Sequence, residues 1–211
     1  MPTENISFKK TGYFSPLICD YINESSEIQK FYSHFPNNEN FKIQIAEKRK
    51  SFNSVSRSVL VSVLTNQYTN LTPSPLTLKN IKSLEQENTF TVTTGHQLNI
   101  FTGPLYFLYK IISTINLAKQ LKQSYPDCNF VPIYWMATED HDFEEINYFN
   151  FKGKKIKWNK SSSGAVGALS TEGLKDVFEV FSKEIGVGKN AEYLKNLFSK
   201  AYLNHDNLAE A

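Results

Sequence analysis

The chain has 211 residues, of which 40% are hydrophobic and 21% charged, and its formal net charge is +2 at pH 7. These proportions are typical of a soluble globular protein of one domain, or of one domain with a small appendage, and they exclude a disordered chain. The small net charge argues against a nucleic-acid-binding surface. No segment approaches the roughly 18 uninterrupted apolar residues of a membrane-spanning helix. The two cysteines, Cys19 and Cys128, lack metal-ligand spacing, and no signal peptide is visible, so we expect a reduced, cytoplasmic protein.

The first 88 residues are predicted to be mainly helical. Apolar residues recur at helical spacing from 41 to 68, which predicts one long helix. Prolines then interrupt the pattern, and residues 77–87 predict a further helix. We expect this amino-terminal region, residues 1–88, to pack on a core formed by residues 89–211.

A strand, a helix and a second strand follow. Residues 89–94 are β-branched and aromatic, which predicts a strand. Residues 95–103 are predicted to form a loop, and Pro104 the first position of a helix that ends near Gln123. The almost continuous apolar run 130–136 predicts a second strand, buried on both faces. Together they predict a βαβ unit with parallel strands and a right-handed crossover.

The last part of the chain is predicted to contain a β-hairpin and two helices. The hairpin strands are expected at 146–151 and 154–158, and the helices at 172–185 and 192–202. Residues 208–211 resemble the beginning of another helix. Because two parallel strands and a hairpin make a small sheet, we expect the chain to be truncated.

Unusual polar sequence follows the first predicted strand, at the edge where open parallel sheets bind ligands. Gly95 permits close approach to the backbone, and His96 can donate to a developing oxyanion. The string 93–96 is similar to a motif of class I synthetases and nucleotidyltransferases, so a nucleotidyltransferase-like enzyme acting on another acid is one open alternative. Thr102 or Gly103 can cap the next helix. The first N–H groups of that helix can form an anion site; the alternative is an ordinary helix cap with a tight turn.

An acidic segment follows the second predicted strand. Residues 138–145 contain five carboxylates and one histidine. Such a cluster can bind a cationic amine, hold a divalent metal or supply a general base, and a solvated polar loop is the alternative. The spacing matches no metal-binding motif, so we expect no metal.

Two blocks of the sequence resemble the signature of the bacillithiol cysteine-adding enzymes, the BshC family. Residues 94–106 read TGHQLNIFTGPLY and are followed by Lys110, and residues 132–147 read PIYWMATEDHDFEEIN. Both blocks are in the family's order and at its spacing. Segments 11–14 and 66–68 are also similar to the family, so the resemblance covers nearly the whole chain.

The resemblance implies an α/β fold: an incomplete Rossmann-like parallel-sheet core with an α-helical amino-terminal region and a β-hairpin insertion. It implies a ligase of thiol metabolism that adds L-cysteine to glucosaminyl-malate to form bacillithiol, in a family whose full-length members carry a coiled coil and form homodimers. No tightly bound cofactor is implied, but kinship to class I synthetases implies a nucleotide such as ATP as co-substrate. The implied partners are small molecules, without nucleic acid or membrane. An inactive truncated remnant is the other alternative.

The predicted site combines the two strand ends. The catalytic residues are predicted to be His96, Asp140, His141 and Asp142, of which the last three would hold the amine of cysteine or of the sugar and assist in removing its proton. Substrate contacts are predicted for seven further residues: Gly95, Gln97, Asn99, Thr102, Gly103, Tyr106 and Glu139.

Overall fold

The computed structural model describes residues 3–101 and 103–211. The chain forms two compact units, Met1–Asn53 and Ser54–Ala211. The domain boundary predicted after residue 88 stays a prediction. No helix within the described ranges is long and apolar enough to cross a membrane.

The first unit is helical. Its described elements are α1 (Phe8–Thr11), α2 (Pro16–Ile22), a short 3-10 helix (Gln29–Phe31) and α3 (Asn38–Ser51). The start of α3 is capped by Asn37, whose side-chain oxygen accepts a hydrogen bond of 2.9 Å from the backbone N–H of Asn40. The single helix predicted over residues 41–68 is wrong, because the backbone becomes extended at Phe52 (ψ 94°) and ends α3 there. Amphipathic periodicity does not reveal such a break, because both helices are separately periodic.

The second unit combines helices with two small sheets. Its elements are α4 (Ser54–Gln67), α5 (Pro75–Ser83), β1 (Thr89–Gln97), α6 (Leu105–Ser124), β2 (Asn129–Ala137), α7 (Phe143–Ile146), β3 (Tyr148–Phe151), β4 (Lys154–Lys157), a 3-10 helix (Val166–Ala168), α8 (Leu174–Ile185) and α9 (Lys189–Tyr202). The fold is therefore α/β, as the sequence predicts.

The predicted βαβ unit is confirmed. Strands β1 and β2 are parallel and paired from Thr89 with Asn129 to Gln97 with Ala137, and α6 packs on both. The prediction of a loop at residues 95–97 is wrong, since their backbone continues the ladder with β2. Pro104 lies one position before the helix, with extended backbone (ψ 149°), where its missing N–H removes no helical hydrogen bond.

The predicted hairpin is confirmed with shorter strands. Strands β3 and β4 are antiparallel, and the turn between them places Lys152 (φ 49°) and Gly153 (φ 76°) in the left-handed region that a two-residue hairpin turn requires. Ile146, the first residue of the predicted hairpin, belongs instead to α7. The helix start predicted at 208–211 is also wrong: these residues form a turn, and the N–H of Leu208 donates to the carbonyl of Leu169 at 2.9 Å.

The core of this unit lies between the hairpin, α8, α9 and the loop after β1. The largest side chains in it that are almost fully buried are Trp158, Phe181, Phe198, Ile100 and Ile146. Ile100 anchors the loop after β1, because its backbone N–H also donates to the carbonyl of Ile146 at 3.2 Å. The core therefore fixes the position of the polar residues that surround the end of β1.

A buried arginine joins α4 to the residues before β1. The guanidinium of Arg57, which is 3% exposed, donates to the carbonyls of Leu84 and Thr89 at 3.0 Å each and to that of Glu87 at 3.3 Å. Burial lowers the pKa of Arg57 from its ordinary value, and the charge of Glu87 opposes this shift.

Candidate active site at the carboxyl ends of the parallel strands

The carboxyl ends of β1 and β2 lie side by side, with His96 paired to Met136 and Gln97 to Ala137. A cleft of about 620 Å³ opens beside them, between the end of β1, the loop that follows it, the start of α6, and β3. This volume lies within the range of small-molecule sites in proteins. Five predicted site residues line it: His96, Gln97, Asn99, Gly103 and Tyr106.

The imidazole of His96 is held by hydrogen bonds on one side only. Its Nδ1 lies 2.9 Å from the carbonyl oxygen of Gln97 and 3.1 Å from Nδ2 of Asn99, which is itself 3.0 Å from the same carbonyl. A carbonyl can only accept, so the arrangement is consistent when Nδ1–H and the Asn99 amide both donate to it. In that tautomer Nε2 is an acceptor, and it has no hydrogen-bond partner in the part of the chain that the structure describes.

Aromatic rings fix the plane of this imidazole. The ring centroid of His96 is 5.0 Å from that of Tyr106 and 5.5 Å from that of Phe107, both on the first turn of α6. The hydroxyl of Tyr134 donates to the carbonyl of His96 at 3.0 Å, and burial raises the pKa of Tyr134 to about 12. Contacts to the ring and a hydrogen bond to the backbone carbonyl thus both orient His96.

A close glycine contact shapes the loop between β1 and α6. Gly103 has φ +51°, and a Cβ at this position would lie 2.6 Å from the Cβ of Asn99. Pro104 occupies the cap position of α6, and its ring offers no side-chain acceptor to the first N–H groups of the helix. Thr102, predicted with Gly103 to hold an anion, lies outside the described residues.

Gln97 connects the first strand to the acidic segment. Its side-chain amide donates to the carboxylate of Glu145 at 2.7 Å. The pKa of Asp140 is lowered first by a hydrogen bond from the backbone N–H of Asp142, at 2.9 Å from Oδ1, and then by the side chain of Gln97. Both carboxylates are therefore held near the end of β1, and Asp140 is ionised at neutral pH.

The acidic segment owes its position to residues much later in the chain. The backbone N–H of Val166 donates to the carbonyl of Asp140 at 2.7 Å, and that of Gly167 to the carbonyl of Thr138 at 3.0 Å. A Cβ on Gly167 would lie 2.6 Å from the Cβ of Thr138, so glycine allows this approach.

The remaining predicted residues lie apart from the cleft. Glu139, His141 and Asp142 are exposed, Asp140 is half-buried, and none of the four lines it. Gly95 lies within β1, where a Cβ would be 3.3 Å from that of Trp135 and where its carbonyl accepts from Nζ of Lys110 at 3.1 Å. The functional roles given to these residues stay predictions.

Sequence reasoning does not single out three polar residues that line the cleft. The sequence places Glu145 in the acidic segment without a specific role, and it places Tyr148 and Asn150 only in the hairpin. The period-two alternation of β3 is the signal that could have found Tyr148 and Asn150, since it places both on one face of the strand.

The acceptor groups of the cleft can serve an amine substrate. Within the described ranges, no group of three or more His, Cys, Asp or Glu side chains is arranged to hold a metal ion. The carboxylate of Glu145 can bind an ammonium group in the cleft, and Nε2 of His96 can accept a proton from it; the carboxylate of Asp140 lies beside the side chain of Gln97.

Comparison with known proteins identifies the family. The family model described as "Bacillithiol biosynthesis BshC, N-terminal Rossmann-like domain" matches residues 1–211. The chain belongs to the BshC family. The resemblance noted from the two sequence blocks is thereby confirmed, and the parallel strands with their cleft form part of the family's Rossmann-like domain.

Relatives from several bacteria carry the name "Putative cysteine ligase BshC". That from Flavobacterium psychrophilum is 63% identical over 212 residues, and that from Flavobacterium johnsoniae 61% identical over 211 residues; both alignments cover 100% of this chain and 40% of the relative. The relative from Bacillus cereus strain Q1 is 32% identical over 230 residues, covering 97% of this chain and 41% of its own length. The chain thus spans about 40% of the length of these BshC relatives.

Proposed function

We propose that the gene product is a cytoplasmic ligase that forms an amide between the carboxyl group of L-cysteine and the amine of glucosaminyl-malate, which yields bacillithiol. The observation that carries this proposal is the cleft at the strand ends, where the imidazole of His96 and the carboxylate of Glu145 face one small-molecule site in a chain of the BshC family. We further propose that the protein acts as a homodimer on small-molecule substrates.

The reaction needs an uncharged amine. The amino group of the sugar is protonated near neutral pH and must lose a proton before its nitrogen attacks a carboxyl carbon. In our proposal the carboxylates of Glu145 and Asp140 hold the ammonium group, and Nε2 of His96 accepts the proton. The hydrogen bond between Nδ1–H and the carbonyl of Gln97 supports this role, because it leaves Nε2 as the basic nitrogen.

The other substrate must be activated, since a free carboxylate has no suitable leaving group. We propose that a nucleotide such as ATP is the co-substrate that activates the cysteine carboxyl, without a tightly bound cofactor. The start of α6 lines the cleft, and its cap residue, Pro104, offers no side-chain acceptor to the first N–H groups of the helix, which supports an anion there.

The first test is a thiol profile, by mass spectrometry, of source cells with and without the gene. Loss of bacillithiol together with accumulation of glucosaminyl-malate is the expected result. An unchanged profile in the deletion strain, from a genome with no second copy of the gene, would contradict the proposal.

The second test separates catalysis from folding. We expect His96→Ala to lower kcat/KM of the intact gene product by about 10²- to 10⁴-fold, the usual contribution of a general base. The matched control is His34→Ala, because His34 lies in the first unit, where its ring pairs with Glu47 at 3.0 Å. Equal activity of the two variants would rule out the role given to His96.

A further inference from the structure

Strand β3 of the hairpin forms one wall of the cleft. Phe149 and Ile156 point into the core and are each 4% exposed. Tyr148 and Asn150 alternate with Phe149 and therefore lie on the other face of the strand, and all three residues line the cleft. Asn150 is paired with Lys155 across the hairpin, and paired residues share a face, so Lys155 lies beside the two cleft residues.

The ammonium of Lys155 is held over an aromatic ring. Its Nζ lies 3.6 Å from the ring centroid of Tyr148, which is close for a cation–π contact. This contact directs an exposed, otherwise flexible side chain toward a residue that lines the cleft. A lysine in this position is a cation preorganised at the rim of the site.

Neighbouring lysines of the hairpin are already paired. Lys157 contacts Glu144 at 2.8 Å, and Lys154 contacts Glu184 at 2.6 Å. Lys155 forms no ion pair within the described residues, although its charge contributes to the lowered pKa of Glu144, after the larger effect of Lys157. The charge of Lys155 is therefore the one on this hairpin face that remains available to a ligand.

The cleft thus has a carboxylate in its lining and an ammonium group held against one of its lining residues. Glu145 is bound to Gln97 at the end of β1, and Lys155 lies at the rim on β4. A ligand that combines an amine with carboxylates matches this distribution, and glucosaminyl-malate is such a molecule. We propose that Lys155, positioned by Tyr148, binds the carboxylate arm of the amine substrate and so directs its amine toward the acidic side of the cleft. This inference rests on the proposed function.

The test measures binding of two ligands to the intact gene product by titration calorimetry. Glucosaminyl-malate carries the carboxylates, and methyl glucosaminide has the same amine without them. We expect Lys155→Gln to weaken binding of glucosaminyl-malate about 10- to 100-fold, the usual range for losing one charge-assisted hydrogen bond, and to leave binding of methyl glucosaminide unchanged. Lys155→Arg should retain most of the affinity, because it keeps the charge.

The matched control is Lys154→Gln. Lys154 is the adjacent residue of β4, on the opposite face, and its variant should bind both ligands as the wild type does. The inference is overturned when Lys155→Gln binds glucosaminyl-malate as the wild type does, or when it weakens both ligands equally.

The kinetic assay distinguishes failure of this inference from failure of the proposed function. If the wild-type protein forms bacillithiol and Lys155→Gln has an unchanged KM for glucosaminyl-malate, the proposed function stands and the role of Lys155 is refuted. A wild-type protein that neither binds glucosaminyl-malate nor forms bacillithiol refutes both. The expected result is a raised KM for glucosaminyl-malate with an unchanged KM for cysteine.

Discussion

Alanine at position 103 should disturb the hydrogen bonds that orient His96. Gly103 has φ +51°, and a Cβ there would lie 2.6 Å from Cβ and 2.7 Å from Cγ of Asn99. The left-handed backbone costs an alanine about 1–2 kcal/mol. Overpacking against a side chain that is 9% exposed adds about 1–3 kcal/mol. We therefore expect the free energy of unfolding to fall by about 2–5 kcal/mol.

The control for this substitution is Gly153→Ala, in the same unit. Gly153 has φ +76°, but a Cβ there would meet nothing within 4 Å, so the variant should lose only the backbone part, about 1–2 kcal/mol. Urea unfolding of both variants measures the difference. The imidazole nitrogen NMR shifts of His96 supply a second readout, which should change in Gly103→Ala alone, because Asn99 lies 3.1 Å from Nδ1.

Equal losses of stability in the two variants would refute this reasoning. That result would mean that Asn99 moves aside without cost, and that the close approach of Gly103 is not needed to hold the loop. Unchanged imidazole shifts in Gly103→Ala would likewise show that Asn99 does not orient His96.

Three further substitutions test the structure of the second unit. Arg57→Met removes three hydrogen bonds to backbone carbonyls and should lower the free energy of unfolding by about 2–5 kcal/mol, measured by urea unfolding. Gly167→Ala places a Cβ 2.6 Å from that of Thr138 and should cost about 1–3 kcal/mol, seen as a lower Tm; an unchanged Tm would refute the close approach. Burial raises the pKa of Tyr202 to about 12, although the hydrogen bond that its hydroxyl accepts from the N–H of Phe101 lowers the pKa in part. As the pH rises, the unfolded chain therefore releases this proton before the folded protein does. The contribution of Tyr202 to the free energy of unfolding is present below about pH 10 and is lost as the pH rises toward about 12. Between about pH 8 and about pH 11 the free energy of unfolding of Tyr202→Phe should therefore fall less than that of the wild type.

Local sequence was sufficient to predict the elements that carry the site. The β-branched run that begins at Thr89 and the apolar run 130–136 predict strands, and the amphipathic segment between them predicts a helix; the structure has all three. These elements are predictable because each depends on side-chain periodicity within one segment. Their parallel pairing follows from the βαβ connection, which brings the two carboxyl ends to one edge.

The bounds of the elements were less predictable. Residues 95–97 contain a glycine and polar side chains, which are uncommon in strands, yet their backbone groups pair with β2. Tertiary pairing therefore overrides local propensity here. In consequence His96 lies on a rigid strand end rather than on a loop.

By itself the sequence determined the family, the parallel strands and the polar groups at their ends. Only the tertiary structure decided which of those groups face the cleft: Glu145 does, and His141 does not. Residues 138–142 have no periodicity, and their course depends on hydrogen bonds from Val166 and Gly167, far along the chain. The direction of a side chain in such a segment is set by these distant partners, so no local pattern can predict it.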